Sequence, residues 1–343
     1  MIRKIFGIAF AAAFLCAAVL AQQPATPPAA PPAQAPSPAT PAAPAQTPVT
    51  PQTGTQPAQA QTDDTQTVFH LGVNEVNLIF TVTDKHGHYI PNLQQSDFAL
   101  LDDQKAPAKV NSFHQQINLP LRVGIVIDAS TSIRTRFQFE QQSATEFLLD
   151  VLKAKSDLAF VMGFDVTPTV TTDWTNNIDA LETGVNRLRP GGGTALFDAV
   201  YTACRDKLLS ERGPEPVRKA IVLISDGDDN QSRVHPDEVI KECERAETIV
   251  YAISTNWTPS RGKGDQVLTQ MAESTGGRVF FPPSVEEMSN SFKEIEEELR
   301  SQYALTYTPA DFKYDGSFRS IYLYCNDRRY QARAKKGYFA PRQ

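Results

Sequence analysis

The polar and apolar positions along the chain change their period twice. Between Val68 and Gln116 the period is two, with Val76, Leu78, Phe80 and Val82 alternating against Asn77, Ile79, Thr81 and Thr83. Such alternation predicts a strand with one face in a core. Asp84–His88, around Gly87, predicts a turn. Phe98–Leu101, a turn at Asp102-Asp103-Gln104, and Val110–Phe113 predict a second, turn-linked strand pair. So few strands cannot close a sandwich by themselves.

From Leu121 to Arg300 the pattern changes to apolar runs separated by helical spacing. Val123, Ile125, Val126 and Ile127 read as a strand buried on both faces, as a central parallel strand must be. Phe137, Gln141, Ala144, Phe147, Leu148, Val151 and Leu152 then recur at helical spacing. Leu158–Phe164 predicts a second core strand and Val170–Thr172 a short edge strand. Ile178, Leu181, Val185 and Leu188 predict a helix that stops at Arg189-Pro190-Gly191-Gly192-Gly193, and another helix follows over Ala195–Leu209. Ala220–Ile224 is a third apolar strand, broken by Ser225-Asp226-Gly227-Asp228-Asp229-Asn230. Helices at Pro236–Ala246, Gln266–Glu273 and Val285–Leu299 alternate with strands at Ile249–Ile253 and Arg278–Phe281. Strands separated by helices of this length predict a parallel sheet covered on both faces.

After residue 300 the period returns to two, through Tyr303, Leu305, Tyr307, Ile321, Leu323, Cys325, Tyr330, Ala332 and Ala334. The expected architecture is α/β, a doubly wound and mostly parallel sheet over 118–300. It is inserted in a smaller β-sandwich-like domain built from 68–117 and 301–343, because neither flank is long enough to bury a sheet alone.

Candidate chemistry gathers where apolar strands stop. Asp128, Ser130 and Ser132 follow the first core strand, Thr194 follows three glycines, and Asp226 follows the third core strand. In open α/β sheets that edge is where ligands bind. Two carboxylates and three hydroxyls are all hard oxygen donors, and no His or Cys accompanies them. Such a set suits Mg²⁺ (or Mn²⁺), which keeps several waters and takes few charged ligands.

This Asp-x-Ser-x-Ser pattern with a distant Thr and a distant Asp resembles the metal-ion-dependent adhesion site of von Willebrand factor type A domains. The likeness covers about 119–300, and the segments Gly-Gly-Thr-Ala-Leu-Phe-Asp-Ala and Ile-Ser-Asp-Gly strengthen it. The resemblance implies that Ser130 and Ser132 bind the metal directly, Thr194 directly or through water, and Asp128 and Asp226 mainly through water. It further implies a partner protein whose Asp or Glu completes the metal. Asp97-Phe98 before the domain and Gly337-Tyr338-Phe339 after it also resemble a group of secreted bacterial proteins related to this family.

Several other residues invite a site and are read more plainly. His86 and His88 flank Gly87 as a solvated hairpin tip, since two His make a poor metal site without further ligands. Asp198 suits the first turn of its helix by charge, and Asp228 and Asp229 read as a solvated turn. Arg328, Arg329, Arg333, Lys335 and Lys336 read as solvated strand faces and turns.

Composition changes the picture mainly at the start. The 343 residues are 41% hydrophobic and 21% charged, with net charge −6, which gives no case for a nucleic-acid partner. Met1–Lys4 is a basic head before an apolar stretch to Ala21, the form of a secretory signal peptide over 1–21. Cys16 as a lipid-anchor site fits less well, because Phe14 and Leu15 are bulky for that processing. Residues 22–67 are nearly all Pro, Ala, Gln and Thr, the composition of a disordered tether. The expected location is therefore exported: periplasmic, cell-surface or secreted, with no transmembrane segment once the signal is removed. Cleavage leaves Cys204, Cys243 and Cys325, an odd number at spacings that fit no zinc or disulfide framework, so they read as small core residues. Asn256-Trp257-Thr258 matches a glycosylation acceptor.

The function expected is a binding or adhesion module, not an enzyme. A metal-dependent hydrolase is the alternative, although no general base beyond the coordinating carboxylates is offered. A permanent envelope assembly or scaffold subunit is the other.

Overall fold

The computed structural model describes residues 74–342 except 118, 135, 212–215, 257–259 and 285–286. The expected signal peptide, Cys16, the tether, 68–73, Trp257 and Thr258, and the first residues of the helix expected from Val285 lie outside the described residues.

The alternating stretch after Asn74 forms β1 (Val76–Asp84), followed by β2 (Phe98–Asp102) and β3 (Lys109–Ile117). The α/β part then runs through β4 (Leu121–Asp128), α1 (Phe137–Val151), β5 (Leu158–Phe164), β6 (Pro168–Thr175) and α2 (Ile178–Arg187). It continues through α3 (Leu196–Thr202), β7 (Arg218–Ser225), α4 (Pro236–Arg245), β8 (Thr248–Ser254), α5 (Lys263–Thr275), β9 (Val279–Phe280) and α6 (Met288–Arg300). The closing strands are β10 (Ser301–Thr308), β11 (Phe318–Cys325), β12 (Tyr330–Ala334) and β13 (Gly337–Phe339).

The central sheet has six strands in the order β6-β5-β4-β7-β8-β9, parallel throughout except for the antiparallel edge strand β6. Its apolar runs are buried on both faces because two helical layers cover them. Ile125, Ile127, Val222, Ile224, Tyr251 and Ile253 share one core with α1, α2 and α6. Val126, Phe160, Leu223 and Ala252 share the other with α3, α4 and α5. The doubly wound α/β fold expected from the sequence is the fold observed. Winding runs outward from β4 in both directions, to β5 on one side and β7 on the other. The crevice beyond the carboxyl ends of β4 and β7 is therefore a topological switch point.

Two antiparallel sheets, β12-β1-β10-β3 and β13-β11-β2, enclose a third core of Leu78, Phe80, Val82, Leu100, Tyr303, Leu305, Tyr307 and Ile321. Both draw strands from before and after the α/β part. The strand pair expected from Phe98–Leu101 and Val110–Phe113 does not form. β2 pairs with β11 and β3 with β10, in different sheets. The expected turn is present, with Asp103 and Gln104 both at positive φ, but it leads the chain out of one sheet toward the other. Asp102 at its start is buried and bound to Arg319 Nε (2.8 Å), while Tyr307 and Tyr338 donate to its second oxygen at 2.7 and 2.9 Å. One carboxylate thus joins β2, β10, β11 and β13, and its burial is offset by paired and hydrogen-bonded partners.

The cysteine expectation also needs correction. Cys204 and Cys243 form a disulfide, and Cys325 is free and half-buried. Both bonded residues do sit in the core, as expected, but α4 packs beside the segment after α3 and brings together two sulfurs 39 residues apart in the chain. That segment, Ala203–Leu208, winds as a π-helix, so the single helix expected over Ala195–Leu209 changes its winding partway. Among the described residues no helix is long and apolar enough to cross a membrane.

Candidate metal site

Asp128 is the last residue of β4, fully buried, and its carboxylate organises the loop that follows. Oδ1 accepts the Ser130 amide at 2.8 Å and Oδ2 accepts the Ser225 hydroxyl at 2.7 Å. Ser225 ends the neighbouring β7, so the bond fixes the two strand ends against each other. Ser132 donates to Asp226 Oδ2 at 3.0 Å, which leaves Ser130 as donor in the 2.9 Å contact between the two serine hydroxyls. A hydrogen-bonded chain therefore runs from Ser130 through Ser132 to Asp226, beside Asp128.

Thr194 reaches the same edge by its loop. Gly191 N donates to the Ala129 carbonyl at 2.8 Å, and the Thr131 hydroxyl donates to the Gly192 carbonyl at 2.9 Å. Gly192 sits at φ +66°, a conformation costly to a side chain bearing Cβ. Thr194 itself is buried. Its amide donates to Asn230 Oδ1 at 3.0 Å, and its carbonyl accepts the amides of Asn230 and Gln231. The loop after β7 thus supports both Asp226 and Thr194. Gly227, at φ +82°, lets it pass close to α5, where an added Cβ would meet the Gly264 carbonyl at 2.2 Å.

The structure thus brings Asp128, Ser130, Ser132 and Asp226 into one network and places Thr194 in a loop strapped to it. Sequence reasoning missed the supporting residues Ser225 and Asn230, whose roles depend on contacts 97 and 36 residues away. Asp229 is more than a solvated turn, since Oδ2 accepts the Ser232 hydroxyl at 2.5 Å and the Phe197 amide at 3.2 Å at the start of α3. Asp198 stays apart from the network, accepting the amides of Arg233 and Val234. His88 contacts Asp84 at 3.2 Å on an exposed hairpin tip, away from these residues.

Electrostatics favour a cation here. Burial pushes the Asp128 carboxyl up to about 6, its bonds from Ser130 and Ser225 oppose that, and Asp226 raises it further. A positive ion beside the two carboxylates would relieve both burial and like-charge repulsion. Among the described residues no group of three or more His, Cys, Asp or Glu forms a ligand cluster. The donor set is hydroxyl-rich, and it fits a hard ion that keeps waters better than zinc. An open cleft of about 570 Å³ borders Asp226, and Arg136 and Lys263 line it with Asp228 and Asn256.

The family model of the von Willebrand factor type A domain matches residues 123–295. Among solved structures, a von Willebrand factor type A protein from Catenulispora acidiphila is 15% identical, with TM-score 0.45 over 72% of this chain and 74% of that one. Proximal thread matrix protein 1 from the mussel byssus, with a zinc-occupied MIDAS motif, is 17% identical, with TM-score 0.46 over 56% and 50%. The PilB minor pilin from Streptococcus sanguinis is 15% identical, with TM-score 0.43 over 54% and 62%. No curated protein matches the chain.

Proposed function

Since the chain belongs to the von Willebrand factor type A domain family, we propose that it is an exported protein-binding module whose metal site recognises a carboxylate of a partner protein. The observation that carries this reading is the Ser130–Ser132–Asp226 hydrogen-bonded chain at the switch point of the sheet. Ser130, Ser132 and Thr194 would hold Mg²⁺, or Mn²⁺, through neutral oxygens, and Asp128 and Asp226 would supply the negative charge beside it. Mostly neutral donors would leave such an ion electrophilic, so it would supply attraction for the carboxylate of an incoming Asp or Glu. Arg136 and Lys263 in the adjoining cleft add attraction for an acidic partner segment.

The module is a binder and not an enzyme. Both site carboxylates are engaged as acceptors, Asp128 from Ser130 and Ser225 and Asp226 from Ser132 and the Asp228 amide, and neither is poised as a general base. The basic and apolar start of the chain supports export.

Calorimetric titration with Mg²⁺ and Mn²⁺ tests the first step. By mass action, metal should stabilise the fold by about 2.7 kcal/mol at a hundredfold excess over its dissociation constant. Asp128→Ala and Thr194→Ala should lose that gain and stay folded, because the apolar strands do not depend on the ion. No heat and no thermal shift at millimolar metal would remove the basis of the reading. Affinity capture from the native envelope, with and without chelator, then tests the partner, with Asp128→Ala as control.

A further inference from the structure

Two clefts open beside the loop that carries Ser130 and Ser132, and their charges differ. In the one that borders Asp226, the cations Arg136 and Lys263 share the space with Asp226 and Asp228. The other, of about 730 Å³, lies between the start of α1 and the end of α2. Arg134 and Arg189 are the charged residues that line it, Gln138 and Asn186 add amides, and Phe137 and Leu188 give it apolar surface. No acidic residue lines it among the described residues, in a chain whose net charge is −6.

Both walls of this groove are tied to the metal loop. Ser132 reaches Asp226, and two residues further on the Arg134 amide donates to the Thr131 carbonyl at 3.4 Å. From the other wall, Leu188 and Arg189 lead into a turn whose Gly191 amide donates to the Ala129 carbonyl at 2.8 Å. The Gly192 carbonyl of the same turn accepts the Thr131 hydroxyl at 2.9 Å. Gln141 joins the two helices beneath, donating to the Val185 carbonyl at 2.6 Å. Arg134 and Arg189 are both exposed, and neither has a carboxylate partner among the described residues. One Nη of Arg189 donates to the Asn186 and Leu188 carbonyls, which holds its guanidinium at the end of α2.

We propose that this groove is a second carboxylate subsite. The partner segment that presents one Asp or Glu to the metal carries a further Glu, whose carboxylate pairs with Arg134 and Arg189 while its methylenes lie against Phe137 and Leu188. A guanidinium presents donors in a fork that matches a carboxylate. A groove whose charges are all positive also repels basic segments, so it selects among partners as well as attracting them. The partner is therefore an acidic segment and not any protein with one exposed carboxylate.

The inference rests on the metal reading above, and one series of titrations separates the two. The full chain is titrated in Mg²⁺ with synthetic Gly/Ser peptides that carry one Glu, or two Glu at increasing separations. At a matching separation the second Glu is expected to tighten binding about fivefold, the upper range for an exposed ion pair. The gain should shrink as salt is raised. Arg134→Gln and Arg189→Gln are each expected to lose most of it, and Arg134→Lys to keep part, because Lys retains the charge without the fork. Melting temperature reports whether each variant is folded; should Arg189→Gln unfold by losing its two bonds at the end of α2, the Arg134 pair decides alone. No gain at any separation, or a gain that survives the Gln replacements, would overturn the inference, and the metal reading stands if the one-Glu peptide binds in Mg²⁺ and not in chelator. Binding of Mg²⁺ but of no peptide would overturn the subsite together with carboxylate recognition, and no heat from Mg²⁺ would overturn the metal site as well.

Discussion

Two buried carboxyls, Asp128 at the end of β4 and Glu140 on α1, respond to burial in the same direction, and the folded chain holds protons on them that the unfolded chain gives up. For Glu140 the folded value of about 8 stands above the ordinary 4.5. The stability it allows is complete below 4.5 and is lost as pH rises through about 8, because the unfolded state then binds fewer protons than the folded one. The charged groups that set this are Arg136, just before α1, with Asp128 at the end of β4 and Asp226 just after β7. In chelator, denaturant melts of wild type should therefore show stability falling from pH 5 to pH 8.5, and Glu140→Gln should show a flatter profile. The difference between the two curves isolates Glu140 from Asp128, which contributes with the same sign in both. Parallel curves would show that Glu140 does not change its protonation on folding.

Among the elements, the segment after α3 and helix α4 depend on one covalent link. The Cys204–Cys243 disulfide closes a loop that includes β7, the central strand carrying Ser225 at its end. Constraining a loop of that length in the unfolded chain stabilises by about 3 to 4 kcal/mol. Replacing both cysteines by serine, or adding reductant, should lower the melting temperature accordingly. In denatured, unreduced protein, alkylation should label Cys325 and spare Cys204 and Cys243. Labelling of all three would remove the link. The bond also suits the exported location proposed above, since disulfides persist in oxidising compartments.

For the molecule as a whole, the flanking strands have a consequence for how the chain is divided. β1 pairs with β10 and β12, β2 with β11, and β3 with β10, so the sheet partners of all three lie after residue 300. We expect deletion of 301–343 to leave 68–117 sensitive to limited proteolysis while the α/β part still binds Mg²⁺. Equal resistance of that segment in both forms would mean that the two flanks do not fold together. The period of apolar residues was enough to read the parallel sheet, its two helical layers and the antiparallel flanks, because periodicity records which face of each element is buried. Sequence position likewise put Asp128, Ser130, Ser132, Thr194 and Asp226 beside strand ends or a glycine turn, since those features are local. Periodicity does not record which distant segment covers that face. The separation of β2 from β3, the joining of Cys204 to Cys243, and the support of Asp128 by Ser225 and of Thr194 by Asn230 were therefore decided only in three dimensions. Glu140 shows the same division: the sequence displays a carboxyl at a helical core position, and only the packing of α1 against its neighbours removes its water.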